Sequence, residues 1–172
     1  MLGENPRPRM TESEMAIDQG GKLPKMELMA SDGGTIELPD WAAGKPFVLY
    51  FYPKDDTSGC TREAQDFSAL MPEFEALGAV VLGVSKDPAA KHQKFISKYD
   101  LTVQLATDVD GKAMDLLGVW GEKQLYGKRY MGIERSTFLF APDGTLFRAW
   151  RKVRVPGHAV DVLESVKELA RT

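Results

Sequence analysis

The sequence is poor in the residues that build covalent or metal-bound scaffolds: its 172 residues include one cysteine and two histidines. A single thiol excludes an internal disulfide framework and any zinc site made of several cysteines. Long apolar runs are missing too. No stretch approaches the ~18 apolar residues that a membrane helix needs, and the opening MLGENPRPRMTESEMAIDQGG has no apolar segment long enough for a secretory signal. An excess of positive charge is also lacking. With a formal net charge of -3, the chain has no electrostatic footprint for phosphate backbones, which argues against a nucleic-acid partner. Together these absences predict a cytoplasmic protein in reducing surroundings, without membrane or nucleic-acid partners.

What is present describes an ordinary globular chain, 43% hydrophobic and 27% charged. Its length suits one domain able to bury roughly two-thirds of its unfolded surface. Prolines, glycines and scattered charges mark residues 1–20 as a flexible N-terminal arm, and residues 21–172 are expected to form the domain. The basic residues Arg148, Arg151, Lys152 and Arg154 alternate with Trp150, Val153 and Val155, which reads as the solvated face of a strand.

The apolar spacing then switches between two periods. MELMASDGGTIEL predicts an N-terminal hairpin turning at Asp32-Gly33, and PFVLYFYP predicts a central strand buried on both faces. From Cys60, the residues Ala64, Phe67, Leu70, Met71 and Phe74 form one helical stripe ending near Gly78, with Pro72 expected to kink or restart the helix. AVVLGVS is a second buried strand. Asp87-Pro88 reads as an N-cap and first-turn proline for a helix burying Phe95, Ile96 and Tyr99. TVQLAT is a third strand, STFLF and TLFRAW flank the reversal APDG, and Val162, Leu163, Val166, Leu169 and Ala170 line one side of a last helix. The order predicts an α/β fold with a central mixed β-sheet flanked by helices.

Cys60 falls in the first turn of a helix that follows a central strand, where free amides and the helix dipole favour a thiolate. Thr57 is placed to cap that helix or to offer a hydroxyl to a molecule at the sulfur, and Pro53 stiffens the approach. The residues alone leave two readings of Cys60 open, a small buried side chain and a nucleophile. Arg135 alone reads as the polar first residue of a strand.

The stretch YFYPKDDTSGCTREAQDF, with GVWGEKQLYGKRYMGIERSTFLF and the GH before the last helix, resembles the peroxiredoxins of the bacterioferritin-comigratory or Q group from about residue 23 onward. The resemblance implies a thioredoxin-like fold and thiol-dependent reduction of hydrogen peroxide and organic hydroperoxides without a cofactor. It implies that Cys60 is the peroxidatic thiol, that Thr57 hydrogen-bonds the peroxide, that Pro53 shields the sulfur and that Arg135 polarises the pocket. Glu63, one turn beyond Cys60, could hold Arg135, and it could equally be an exposed helix glutamate.

Two positions depart from the group's pattern: Ser58 replaces a usual proline, and Gln65 occupies the place of a resolving cysteine found in many relatives. The sulfenic acid formed on Cys60 is therefore expected to react with a thiol from outside, carried by thioredoxin, glutaredoxin or glutathione. A second copy of the chain would give a disulfide-linked dimer on oxidation of an otherwise monomeric protein. The alternative function is a non-enzymatic redox sensor or interaction module switched by Cys60. His92 and His158 lack the spacing of metal ligands, DVDG at 108–111 reads as a turn, and Trp120, Tyr126, Tyr130 and Met131 lie in a glycine-rich loop that either collars the pocket or packs on itself.

Overall fold

A computed structural model describes Ile17 and residues 20–172. The expectation of an arm over residues 1–20 therefore falls almost wholly outside the described residues. The strands are β1 (Met26–Ala30), β2 (Thr35–Leu38), β3 (Phe47–Phe51), β4 (Val80–Ser85), β5 (Gln104–Thr107), β6 (Trp120–Leu125), β7 (Lys128–Ile133), β8 (Ser136–Phe140) and β9 (Leu146–Trp150). The α-helices are α1 (Ser58–Ala76), α2 (Ala89–Tyr99), α3 (Lys112–Leu117) and α4 (His158–Ala170).

Seven strands form one sheet in the order β2-β1-β5-β4-β3-β8-β9. The pairs β3–β4 and β4–β5 are parallel and the others antiparallel, so the sheet is mixed as expected. The N-terminal hairpin is not a separate layer. β1 pairs with β5 through Met29–Thr107 and Ala30–Ala106 and lengthens the sheet at one edge.

Strand β3 shows why the centre is apolar throughout. Phe47, Leu49 and Phe51 join a core with Met114 and Leu117 of α3, while Val48, Tyr50 and Tyr52 join a second core with residues of α1, α2 and α4. A strand covered on both faces needs apolar residues at every position. The ring of Tyr50 lies over Gly83 of β4, where an added Cβ would stand 2.5 Å from a ring carbon. Only glycine permits that approach.

Three expectations need correction. Helix α1 does not restart at Pro72 but runs as one element from Ser58 to Ala76. Proline cannot donate to the carbonyl of Ser68 four residues earlier, but Thr102 Oγ1 donates to it instead at 3.1 Å, and Pro72 faces solvent. Asp87 does not cap α2: the N-cap is Pro88, and the Asp87 carboxylate turns inward to accept from Asp55 N and Ser85 Oγ, both at 2.8 Å. The basic run continues past the end of β9, so Arg151 folds back, donates to the carbonyls of Leu117 and Gly118 and lies over the ring of Phe138.

One helix and one hairpin were not foreseen. α3 follows DVDG, whose Asp108 carboxylate accepts from the amides of Ala113 and Met114. The expected glycine-rich loop is an antiparallel hairpin of β6 and β7, paired from Trp120–Ile133 to Leu125–Lys128 and turning at Tyr126-Gly127. Among the described residues, no helix is long and apolar enough to cross a membrane.

Candidate active site

The register of the sheet brings distant residues together. β3 and β8 are antiparallel with Phe51 opposite Ser136, so the chain leaves β3 toward Pro53 just where it enters β8 from Arg135. Helix α1 starts beyond that edge. Thr61 N is the donor that closes its first turn, bonding Thr57 O at 2.8 Å, so the amides of Ser58, Gly59 and Cys60 precede the intrahelical ladder. The partial positive charge of that helix end lies beside the Cys60 sulfur.

Cys60 is 2% exposed. Arg135 joins it from the opposite side: Nη2 donates to Cys60 Sγ at 3.4 Å and Nη1 to Glu63 Oε1 at 2.6 Å. One guanidinium therefore bridges the sulfur and a carboxyl on the next turn of α1. A guanidinium is suited to this because its donors stand in a rigid fork. Gly59 leaves room for the fork, since a Cβ there would stand 3.2 Å from Arg135 Nη2.

Glu63 is 1% exposed, and its Oε2 has no hydrogen-bond partner. Burial pushes its carboxyl up to about 7 from an ordinary 4.5, against the opposing pull of Arg135. The reading of Glu63 as an exposed helix residue is thus replaced by a buried partner of Arg135. Its place one turn beyond Cys60 was legible in the sequence, but its burial was not.

Thr57 occupies the N-cap position by its backbone, yet its hydroxyl caps no amide. Oγ1 donates to Lys54 O at 2.9 Å, which commits its proton and leaves its lone pairs available to accept. Pro53 and Arg135 line the wall of a cavity of about 490 Å³ whose other walls include Val119, Trp120, Lys123 and Lys152. Of the expected aromatic collar, Trp120 alone lines this cavity. Tyr126 is 96% exposed at the hairpin tip, and Tyr130 and Met131 are exposed outside it.

The two histidines have separate surroundings. His158 Nε2 lies 2.8 Å from Thr137 Oγ1, and the ring packs edge-on against Phe67 and Trp150. Burial pulls its imidazole down to about 4. His92 is fully buried against Asp55 and the Ala106 carbonyl. Sequence reasoning passed over this contact, although His92 precedes Phe95, Ile96 and Tyr99 by three, four and seven residues and so falls on the buried stripe of α2. Among the described residues, no group of three or more His, Cys, Asp or Glu could hold a metal ion.

The arrangement is a buried sulfur held between a helix start and a guanidinium, with the hydroxyl of the N-cap residue Thr57 committed as a donor to Lys54 O. It favours a nucleophile attacking a small polar molecule whose leaving atom gains negative charge. A family model described as the AhpC/TSA family matches residues 19–149. A Bacillus subtilis protein named peroxiredoxin Bcp is 46% identical over 156 residues, covering 91% of this chain and 99% of that protein. A solved structure of the Xanthomonas campestris bacterioferritin comigratory protein, from work on its alkyl peroxide reduction activity, is 46% identical with a TM-score of 0.79 and covers 84% of this chain and 92% of its own. A cysteine-to-serine mutant of Xylella fastidiosa PrxQ is 40% identical with a TM-score of 0.84, covering 90% and 98%.

Proposed function

The chain belongs to the AhpC/TSA family, in the company of the Bcp and peroxiredoxin Q proteins, and is a thiol-dependent peroxidase with a thioredoxin-like fold; we propose that Cys60 is its peroxidatic sulfur and that Thr57, Pro53 and Arg135 serve it. The observation that carries this assignment is the 3.4 Å contact of Arg135 Nη2 with Cys60 Sγ across 75 residues of sequence.

The Cys60 thiolate attacks the nearer oxygen of a hydroperoxide, forming an S–O bond as the O–O bond breaks. The sulfur is oxidised to a sulfenic acid, and the departing oxygen leaves as an alkoxide or hydroxide that takes up a proton to become alcohol or water. Thr57 Oγ1, with its own proton engaged by Lys54 O, accepts the hydrogen bond of the attacked peroxide's O–H. The Arg135 fork and the first amides of α1 stabilise the charge moving across the two oxygens, an effect concentrated in the transition state. Pro53 covers one side, keeping water from competing for the sulfur.

With Cys60 as the one cysteine of the sequence, the sulfenic acid is resolved from outside. A thiol displaces water to form a mixed disulfide, and a second thiol releases the Cys60 thiol and leaves the reductant as a disulfide. Thioredoxin, glutaredoxin and glutathione are the donors to compare. The test is Cys60→Ser, which removes thiol-dependent peroxide consumption while the circular dichroism stays that of the wild type. Retained consumption in that variant would overturn the assignment.

A further inference from the structure

Asp55 lies midway between Pro53 and Thr57, in the loop that joins β3 to α1, and its surroundings have no part in the chemistry just described. It is 3% exposed. Tyr52 Oη donates to its Oδ1 at 2.5 Å, His92 Nδ1 stands 2.7 Å from its Oδ2, and its backbone N–H donates to Asp87 Oδ2 at 2.8 Å. Asp87 is fixed in turn by Ser85 Oγ at 2.8 Å, and its carbonyl accepts from Thr107 Oγ1 at 2.6 Å.

The far side of His92 makes the grip specific. Nε2 lies 3.0 Å from the Ala106 carbonyl, which can only accept, so Nε2 carries a proton. The ring is thus locked between β5 and the loop, with one further proton held between Nδ1 and Asp55 Oδ2. His92 itself is wholly buried. The neighbouring Asp56 adopts a left-handed φ of 62° and receives Lys98 Nζ at 3.0 Å and Tyr99 Oη at 2.6 Å, both from the last turn of α2. Helix α2 therefore holds two successive residues of the loop at two points.

We propose that His92 is a positioning residue for the peroxidase: by gripping Asp55 from α2 it keeps Pro53 and Thr57 in place around a covered Cys60. This rests on the assignment of Cys60 made above. Loss of His92 leaves the buried Asp55 carboxyl with Tyr52 Oη on Oδ1 and nothing on Oδ2, and a buried carboxylate missing such a partner is disfavoured. Without His92, Asp55 turns to water and takes the loop with it, uncovering a sulfur that is otherwise 2% exposed. The active-site loop is thereby made answerable to α2, a helix that contributes no group to the sulfur.

The full-length chain and four variants, His92→Leu, Asp55→Ala, Asp55→Asn and Phe95→Leu, are compared by two rates at Cys60. Reaction with a hydroperoxide needs Pro53, Thr57 and Arg135 in register, whereas alkylation by iodoacetamide needs only an accessible thiolate. His92→Leu is expected to lower the peroxide rate by about a hundredfold, the scale of a misplacement near 1 Å. Alkylation holds or rises, and hydrogen exchange at residues 53–60 accelerates. Asp55→Ala, which strands no buried charge and so guards against a variant that fails to fold, should show the same divergence.

Asp55→Asn keeps the grip, because its Oδ1 accepts from Tyr52 while its amide donates to Nδ1 of a neutral ring, and it retains the wild-type ratio of the two rates. Phe95→Leu loses core volume on the same helix and lowers thermal stability without changing that ratio. The proposal is overturned if His92→Leu and Asp55→Ala keep the wild-type ratio, or if Phe95→Leu diverges as much as they do. A wild-type chain that consumes no peroxide with any thiol would overturn the Cys60 assignment first, and the proposal with it.

Discussion

Replacing Glu63 by glutamine isolates the electrostatic cost of placing a carboxyl behind Arg135. Burial raises the Glu63 carboxyl from an ordinary 4.5 to about 7. Between those values the unfolded chain has released the proton while the folded chain still holds it, so the folded state binds more protons and loses stability as pH rises. At about 1.4 kcal/mol per pH unit, the loss amounts to roughly 3 kcal/mol and levels off above pH 7. Glutamine keeps an oxygen for Arg135 Nη1 and has no proton to release. His158 has the opposite sign: with its imidazole pulled down to about 4 from 6.5, it contributes stability above pH 6.5 that is lost on acidification toward pH 4. The two contributions oppose one another in the wild type, and only the difference between variants separates them. Urea denaturation of wild type and Glu63→Gln across pH 4 to 8 should show the variant gaining on the wild type by roughly 3 kcal/mol, nearly all of it between pH 4.5 and 7. Parallel stability profiles would refute the reasoning, because they would mean that Glu63 titrates alike in the folded and unfolded chains.

Other perturbations follow from the same contacts. Gly59→Ala places a Cβ 3.2 Å from Arg135 Nη2. It should raise helix stability by up to ~1 kcal/mol in thermal melts while lowering the peroxide rate severalfold, an opposition that a purely structural role for Gly59 would not give. Arg135→Met removes the donor to Cys60 Sγ and should lower kcat/KM for hydroperoxide by about 10²–10³-fold, with the fold retained because Glu63 then simply stays protonated. A loss below tenfold would place the charge stabilisation elsewhere. Gly83→Ala drives a Cβ to within 2.5 Å of the Tyr50 ring and should cost about 1–3 kcal/mol in denaturant titrations, since neither the strand nor the buried ring can move freely.

How much of this was legible in the sequence depends on the range of the signal. Cys60, Thr57 and Pro53 lie within eight residues of one another, so strand, turn and helix signals place them together without knowledge of the rest of the chain. Arg135 is different. Nothing local distinguishes it from any arginine at a strand start, and it reaches the sulfur only because β8 pairs with β3 in the register Phe51–Ser136. The family resemblance supplied what local pattern lacked. The β6–β7 hairpin escaped because its paired residues are largely exposed and polar, leaving no apolar alternation to read. His92 lay on a visible stripe, but a histidine there announces only that it needs partners. Asp55 and the Ala106 carbonyl, 37 and 14 residues away, become its partners through tertiary folding alone.

The central claim is that Cys60 takes an oxygen from the peroxide as a sulfenic acid and gives it up as water when an external thiol attacks the sulfur. Peptide mass spectrometry after a single equivalent of hydroperoxide tests this most directly. The account predicts a sulfenic acid on the Cys60 peptide, trapped by a sulfenate-specific reagent and converted to a mixed disulfide when glutathione is added. A Cys60 peptide of unchanged mass, while peroxide is still consumed, would contradict it.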